Sequence, residues 1–222
     1  MFVHTPIELL PDISTVQKHG MRFYKVDDKL YPSITTILAD GDKQWLNDWR
    51  KSIGTKTADQ ITKRATDRGT AVHLMVEKYL NNDPNPTNNQ TIEHKNEFLS
   101  LKVYLKKINN IIAQETALWS HQLQIAGRVD CIGYYKDKLC IIDFKTSSGS
   151  KDQQQIQDYK LQVAAYSLMF EEMYGIQIDN YAIIMSCEKS AVPLIFTGSI
   201  EPQLIPLLKK VNTFHKKHRS KI

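Results

Sequence analysis

Cysteine is scarce: three residues, at 131, 140 and 187, lie in strand-like segments with no Cys-x-x-Cys spacing. That usage fits reduced, buried thiols and a cytoplasmic location. Long apolar runs are absent, and nothing approaches the roughly 18–20 residues of a membrane span. The N-terminal Met1-Phe-Val-His-Thr-Pro has neither the apolar core of a signal peptide nor the Arg/Ser-rich amphipathic character of a transit peptide. No internal repeat is visible. Charge imbalance is slight: +5 with a pI near 8.9 permits a nucleic-acid partner without requiring one. What remains is an ordinary soluble composition, 41% hydrophobic and 24% charged. Its 222 residues can bury a sizeable core as one α/β domain, or as a domain with a helical subdomain.

The most informative stretch is Gly127 to Ser147. Two runs rich in Val, Ile, Cys and Tyr flank a polar Lys136-Asp137 pair, the pattern of a β-hairpin. With a two-residue turn there, Tyr135 faces Lys138, Gly133 faces Cys140 and Asp130 lies opposite Asp143. A four-residue loop keeps that register, whereas a three-residue loop pairs Asp130 with Phe144. Directly opposed like charges destabilise a sheet. The economical resolution is a divalent metal between the carboxylates, with Lys145 on the same face two residues beyond Asp143. The bland alternative is two exposed carboxylates on a solvated face. Asp143 ends the buried-looking Leu-Cys-Ile-Ile run, which favours the metal.

Those residues carry a resemblance. Gly127-Arg-Val-Asp130, then Ile142-Asp143-Phe-Lys145-Thr-Ser, then Gln162-Val-Ala-Ala-Tyr166 resemble, in order and spacing, the motifs of the RecB-type branch of PD-(D/E)xK nucleases. Arg68-Gly-Thr-Ala-Val-His73 resembles the Gly-Thr-x-x-His motif of the same branch. Pro32-Ser-Ile-Thr-Thr-Ile-Leu and Trp45-Leu-Asn-Asp-Trp49 resemble the N-terminal part of the mitochondrial genome maintenance exonuclease family. The absence of a transit segment points to a phage or bacterial version. The three cysteines argue against the four-cysteine iron–sulfur cluster found in some RecB-type nucleases.

The resemblance implies an α/β (α+β) restriction-endonuclease-like core, a mixed central sheet flanked by helices. Residues 1–113 would supply an N-terminal arm, a small hairpin and a helical arch contributing His73, and residues 114–222 the nuclease core. Taken in order, residues 1–20 read as an irregular arm, and Arg22–Val26 with Lys29–Tyr31 as a hairpin. Ser33 is a plausible N-cap for a short helix, followed by a second over Gln44–Ser52. Thr55–Leu80 is a long helical segment, breakable near Gly69. Asn81 to Gln90 is a breaker-rich loop. Thr91–Ala113 reads as a helix and Glu115–Ile125 as the first core strand. Beyond the Thr146–Asp152 loop come a helix over Gln153–Tyr174, strands at Tyr181–Cys187 and Val192–Phe196, and a helix over Leu204–His215. The basic tail to Lys221 reads as frayed.

For the site, Asp130 and Asp143 are the expected metal ligands, with the Phe144 backbone carbonyl, and Lys145 positions or deprotonates the attacking water. His73 is expected as a metal ligand or phosphate contact, although a lone His among Val, Leu and Met is more often core. Glu77, one turn on, would orient it. Glu115 is either metal-related or a strand-end charge. Gln162 and Tyr166 share a helix face behind the site and are candidates, with Arg68, Thr146 and Ser147, for substrate contact; Ser147 and Lys151 read equally well as loop polarity. One or two Mg²⁺ or Mn²⁺ ions suit this oxygen-rich set. The implied activity is a DNA exonuclease of replication, recombination, repair or degradation. It would act, as a monomer, on single strands threaded by a free end beneath an arch drawn from residues 33–80. Trp45 and Trp49 would stack bases there or simply pack. A duplex-end recombination exonuclease of the phage lambda type, or a catalytically dead nucleic-acid-binding module, are the alternatives.

Overall fold

The computed structural model describes residues 1–8, 10–41 and 44–219. Three short strands, β1 (Thr15–Lys18), β2 (Met21–Val26) and β3 (Lys29–Pro32), form a small antiparallel sheet. Three helices follow: α1 (Ile34–Leu38), α2 (Gln44–Ile53) and the 26-residue α3 (Thr55–Leu80). Then come α4 (Ile92–Leu105), β4 (Ile108–Ser120), β5 (Ile125–Tyr135), β6 (Lys138–Ser147), α5 (Gln157–Tyr174), β7 (Asn180–Cys187), β8 (Ser190–Ser199) and α6 (Glu201–His218).

The five-stranded sheet has order β4-β5-β6-β7-β8, antiparallel except for the β6/β7 pair. A parallel pair needs a crossover connection, and α5 is that crossover. It lies on one face with α1 and α6, where Ile34, Val163, Met169 and Val211 pack against Ile141 and Ile183. On the other face α3 and α4 bring Val72, Met75, Phe98 and Leu101 against Cys131, Ile142, Phe144 and Ile184. Covered on both faces, β7 buries Tyr181 through Cys187 without alternation. All three cysteines are free thiols in the interior. Among the described residues no helix is long and apolar enough to cross a membrane. This is the expected α+β architecture, a mixed central sheet flanked by helices.

Several boundaries differ from expectation. The helix read over Thr91–Ala113 ends at Leu105 and the chain re-enters as β4 at Ile108. The Ile108/Ile112 spacing mimicked a helical stripe, but Asn109-Asn110 favours the bulge that shifts the β4/β5 register before Ala113. The division at residues 113/114 therefore falls inside β4. Gly69 does not break α3; one glycine costs a helix only about 1 kcal/mol. The arm is not wholly irregular. It contains β1, and His4 Nε2 lies 2.8 Å from the Leu80 carbonyl oxygen. Helix α5 begins at Gln157 rather than Gln153, because Asp152 Oδ1 binds the Gln154 and Gln155 amides in a turn. The basic end of α6 stays helical to His218, pinned by Lys217 to Asp40 at 2.9 Å. Ser220 and Lys221 of the expected tail lie outside the described residues, as do residues 42 and 43 of the 33–80 segment.

Candidate active site

The hairpin turn sets the site's register. Lys136 and Asp137 adopt φ 50° and 63°, the left-handed pair required by a type I′ turn, although neither is glycine. Tyr135 then pairs with Lys138, Gly133 with Cys140 and Cys131 with Ile142. The next positions in step are Asp130 and Asp143. There the Asp130 carboxylate takes over from the backbone ladder, its Oδ2 accepting from the Phe144 amide at 2.8 Å. On the other side of β5, the pairs Gln114/Cys131 and Thr116/Val129 bracket Glu115 opposite Asp130. Three adjacent strands thus set Glu115, Asp130 and Asp143 side by side. Glu115 is held at φ 45°, an unfavourable angle for a non-glycine residue. The Arg128 guanidinium donates to its carbonyl and is anchored in turn by Asp12 at 2.6 Å.

Like charges in this row need cations. Lys145 Nζ donates to Asp143 Oδ1 at 2.7 Å and lies 2.6 Å from Oδ2, an atom left without a directed hydrogen bond. Burial pushes the Asp143 carboxyl up to about 6, with Lys145 pulling against it. For Lys145, burial opposes the charged form, but the Asp143 and Asp130 carboxylates outweigh it and raise the ammonium's pKa. Glu115 is pushed up to about 7, chiefly by burial and then by the charges of Asp130 and Glu77.

Helix α3 supplies the remaining donor. His73 Nδ1 stands 3.7 Å from Asp130 Oδ2, and its ring meets the Phe144 ring edge-on at 6.4 Å. One ligand atom each from His73, Glu115 and Asp130 lies within 4.8 Å of the others. Two ligands of an octahedral Mg²⁺ or Mn²⁺ are at most about 4.2 Å apart, which makes the three a candidate coordination set. Carboxylate oxygens of this kind suit hard divalent ions. Asp143, turned toward Lys145, lies outside this trio. The structure therefore moves Glu115 into the candidate ligand set.

Gln162 and Tyr166 lie beneath the row, 7% and 2% exposed, with Gln162 Nε2 donating to the Tyr166 hydroxyl at 3.0 Å. Gly127 makes room for that ring: a Cβ there would meet Tyr166 Cε1 at 2.7 Å. The pair is structural flooring here rather than an exposed substrate contact. Arg68 is likewise withdrawn, buried and ion-paired to Glu188 and, at 3.7 Å, to Glu97. Carboxylates on α4 and after β7 claim it, which no local pattern could reveal. Thr146 sits against Gly69, and buried Ser147 accepts from the Gly149 amide at 3.4 Å. Two further residues enter the site only through the fold. Arg128, although inside the Gly127–Asp130 motif, braces Glu115. Tyr159 has Lys145 Nζ 5.2 Å from its ring centroid. Its signal was helical spacing, since positions 159, 162 and 166 share one stripe of α5.

Comparison with known proteins agrees with this geometry. Residues 93–187 match the PD-(D/E)XK nuclease superfamily. Mitochondrial genome maintenance exonuclease 1 of Mus musculus is 26% identical over 166 residues, 70% of this chain and 49% of the relative. The Homo sapiens protein of that name is 28% identical over 173 residues, 70% of this chain and 48% of the relative. The chain thus spans about half the length of the curated relatives it matches. A crystal structure of a candidate exonuclease from Eubacterium rectale superposes with TM-score 0.50 at 13% identity, covering 71% of this chain and 68% of that one, a likeness of fold.

Proposed function

We propose, from the match of residues 93–187 to the PD-(D/E)XK nuclease superfamily together with the site geometry, that the chain is a metal-dependent DNA exonuclease that hydrolyses phosphodiester bonds of single strands from a free end. The observation that carries this reading is the register: Glu115, Asp130 and Asp143 fall on three neighbouring strands at one level, with His73 and Lys145 beside them. Asp130, Glu115 and His73 would hold a divalent ion, with Asp143 and the Phe144 carbonyl completing its surroundings. Such an ion, when bound, neutralises phosphate charge and eases deprotonation of a coordinated water.

The protein's own groups do the rest. Lys145, kept as an ammonium by Asp143, orients the attacking water and offsets negative charge on the phosphate. Its raised pKa favours that electrostatic role over proton abstraction. The Phe144 amide fixes the Asp130 carboxylate in one orientation. Tyr166 and Gln162 keep the floor rigid. Arg128 holds Glu115 in its unfavourable backbone conformation, aimed at the same spot.

The arch reading rests on α2, which has no buried residue and carries Trp45 71% exposed. An exposed tryptophan on a helix with no buried residue suits base stacking better than core packing. The proposed layout keeps residues 1–113 as the part that supplies arch and His73, and 114–222 as the nuclease core.

Cleavage of end-labelled oligonucleotides in Mg²⁺ or Mn²⁺, with EDTA and Asp130→Asn as controls, tests the reading. Shortening that both controls abolish supports it. Cleavage that survives EDTA contradicts it, and faster digestion of duplex ends than of single strands points instead to a recombination-type exonuclease.

A further inference from the structure

Lys145 shares its charge with Asp143, so a second cation beside it would strengthen the hold on a substrate phosphate. The loop after β6 provides one. Lys151 Nζ donates to the Tyr159 hydroxyl at 3.2 Å and stands 5.2 Å from that ring's centroid, the same separation as Lys145 Nζ. One aromatic ring on the first turn of α5 thus carries the lysine of the Asp143-x-Lys145 pair and a loop lysine together. Among the described residues Lys151 has no acidic partner. The nearest acids in sequence are otherwise engaged: Asp152 Oδ1 accepts from two backbone amides, and Asp158 pairs with Lys210 at 2.8 Å.

The loop is also built rather than loose. Gln155 Oε1 accepts from the Asp152 amide at 2.9 Å, and Lys160 Nζ donates to the Gln153 carbonyl at 3.1 Å. Ile156 is fully buried. Lys151 is therefore presented from a braced segment onto a fixed aromatic ring. A flexible lysine would forfeit side-chain entropy on meeting a phosphate, and this one has forfeited part of it beforehand.

We propose that Lys151 and Tyr159 form a phosphate subsite beside Lys145, taking the phosphodiester adjacent to the scissile one, with Tyr159 as the positioning residue for both lysines. This deepens the exonuclease reading and rests on it for the meaning of "scissile", though not for the subsite itself. Recognition is of the backbone anion, so it carries no base preference.

The test uses the full chain and two readouts. The first is metal-free binding of a fluorescein-labelled single-stranded oligonucleotide, followed by anisotropy across a salt series. The second is steady-state cleavage with Mn²⁺. Lys151→Gln is expected to flatten the slope of log affinity against log salt by about 0.7, the value of one phosphate contact on a single strand. It should raise KM with kcat nearly unchanged, and Lys151→Arg should restore both. Tyr159→Phe keeps the ring and the charge, so it should raise KM mildly at an unaltered salt slope. Tyr159→Leu releases Lys145 as well and should lower kcat.

A wild-type salt slope and KM in Lys151→Gln overturn the subsite. Equal effects of Tyr159→Phe and Tyr159→Leu on kcat and KM overturn the positioning role. If Lys151→Gln shows the expected slope change but the wild-type protein does not cut, the subsite stands and the exonuclease reading falls.

Discussion

Asp143 is 1% exposed, and Lys145 is the cation that lets it remain charged. Breaking one half of a buried pair typically costs about 3–5 kcal/mol, because the other half is left uncompensated. Lys145→Ala should therefore lower thermal stability in metal-free buffer and reduce cleavage by about 10²–10³-fold. Parallel melting curves and rates check both. Glu115 gives a pH prediction. Its folded pKa of about 7 lies above the ordinary 4.5, so the unfolded chain loses that proton first as pH rises. The metal-free protein accordingly loses stability between those two values, its unfolded state binding fewer protons there. A divalent ion needs the ionised carboxylate, so Mn²⁺ affinity should climb through pH 7 and flatten above it. Titrations of Mn²⁺ binding at several pH values, beside Glu115→Gln, separate this from His73. Loss of the pH 7 inflection in that variant is the expected result.

At the scale of elements, the turn between β5 and β6 decides how Asp130, Asp143 and Lys145 fall relative to one another. Lys136 and Asp137 both carry positive φ that asparagine and glycine adopt more easily. Replacing them with Asn-Gly should stabilise the protein by about 1 kcal/mol without touching cleavage; a shifted register would abolish activity instead. Gly127→Ala should act the other way. Its methyl would press on Tyr166 and Ile34, and overpacking of this kind costs about 1–3 kcal/mol. The hairpin was legible because alternation and turn position fix register without knowledge of the rest of the fold. Glu115 was not readable as Asp130's cross-strand neighbour, since the turn at residues 121–124 that sets the pairing through Ser120 and Ile125 lies inside the stretch that read as one strand over Glu115–Ile125. Arg68 illustrates the same limit. Its partners Glu97 and Glu188 lie on distant elements, so a helix-face charge that read as available to phosphate is consumed in packing α3 against α4 and β7.

For the molecule as a whole, the carboxylate row sits on the sheet while His73 arrives on α3, so the proposed activity depends on the helical layer staying docked. Exposed α2 carries the arch reading. Trp45→Ala should leave the melting temperature nearly unchanged, since that ring is outside any core, yet weaken single-strand binding by about 1–3 kcal/mol. The most direct test of the account is a digestion of linear and circular single-stranded DNA in one tube with Mn²⁺, beside the Asp143→Asn variant. Linear strands should shorten from their ends while circles persist and the variant does nothing. Circles cut by the wild-type protein would contradict action at free ends, and cutting by Asp143→Asn would contradict the site itself.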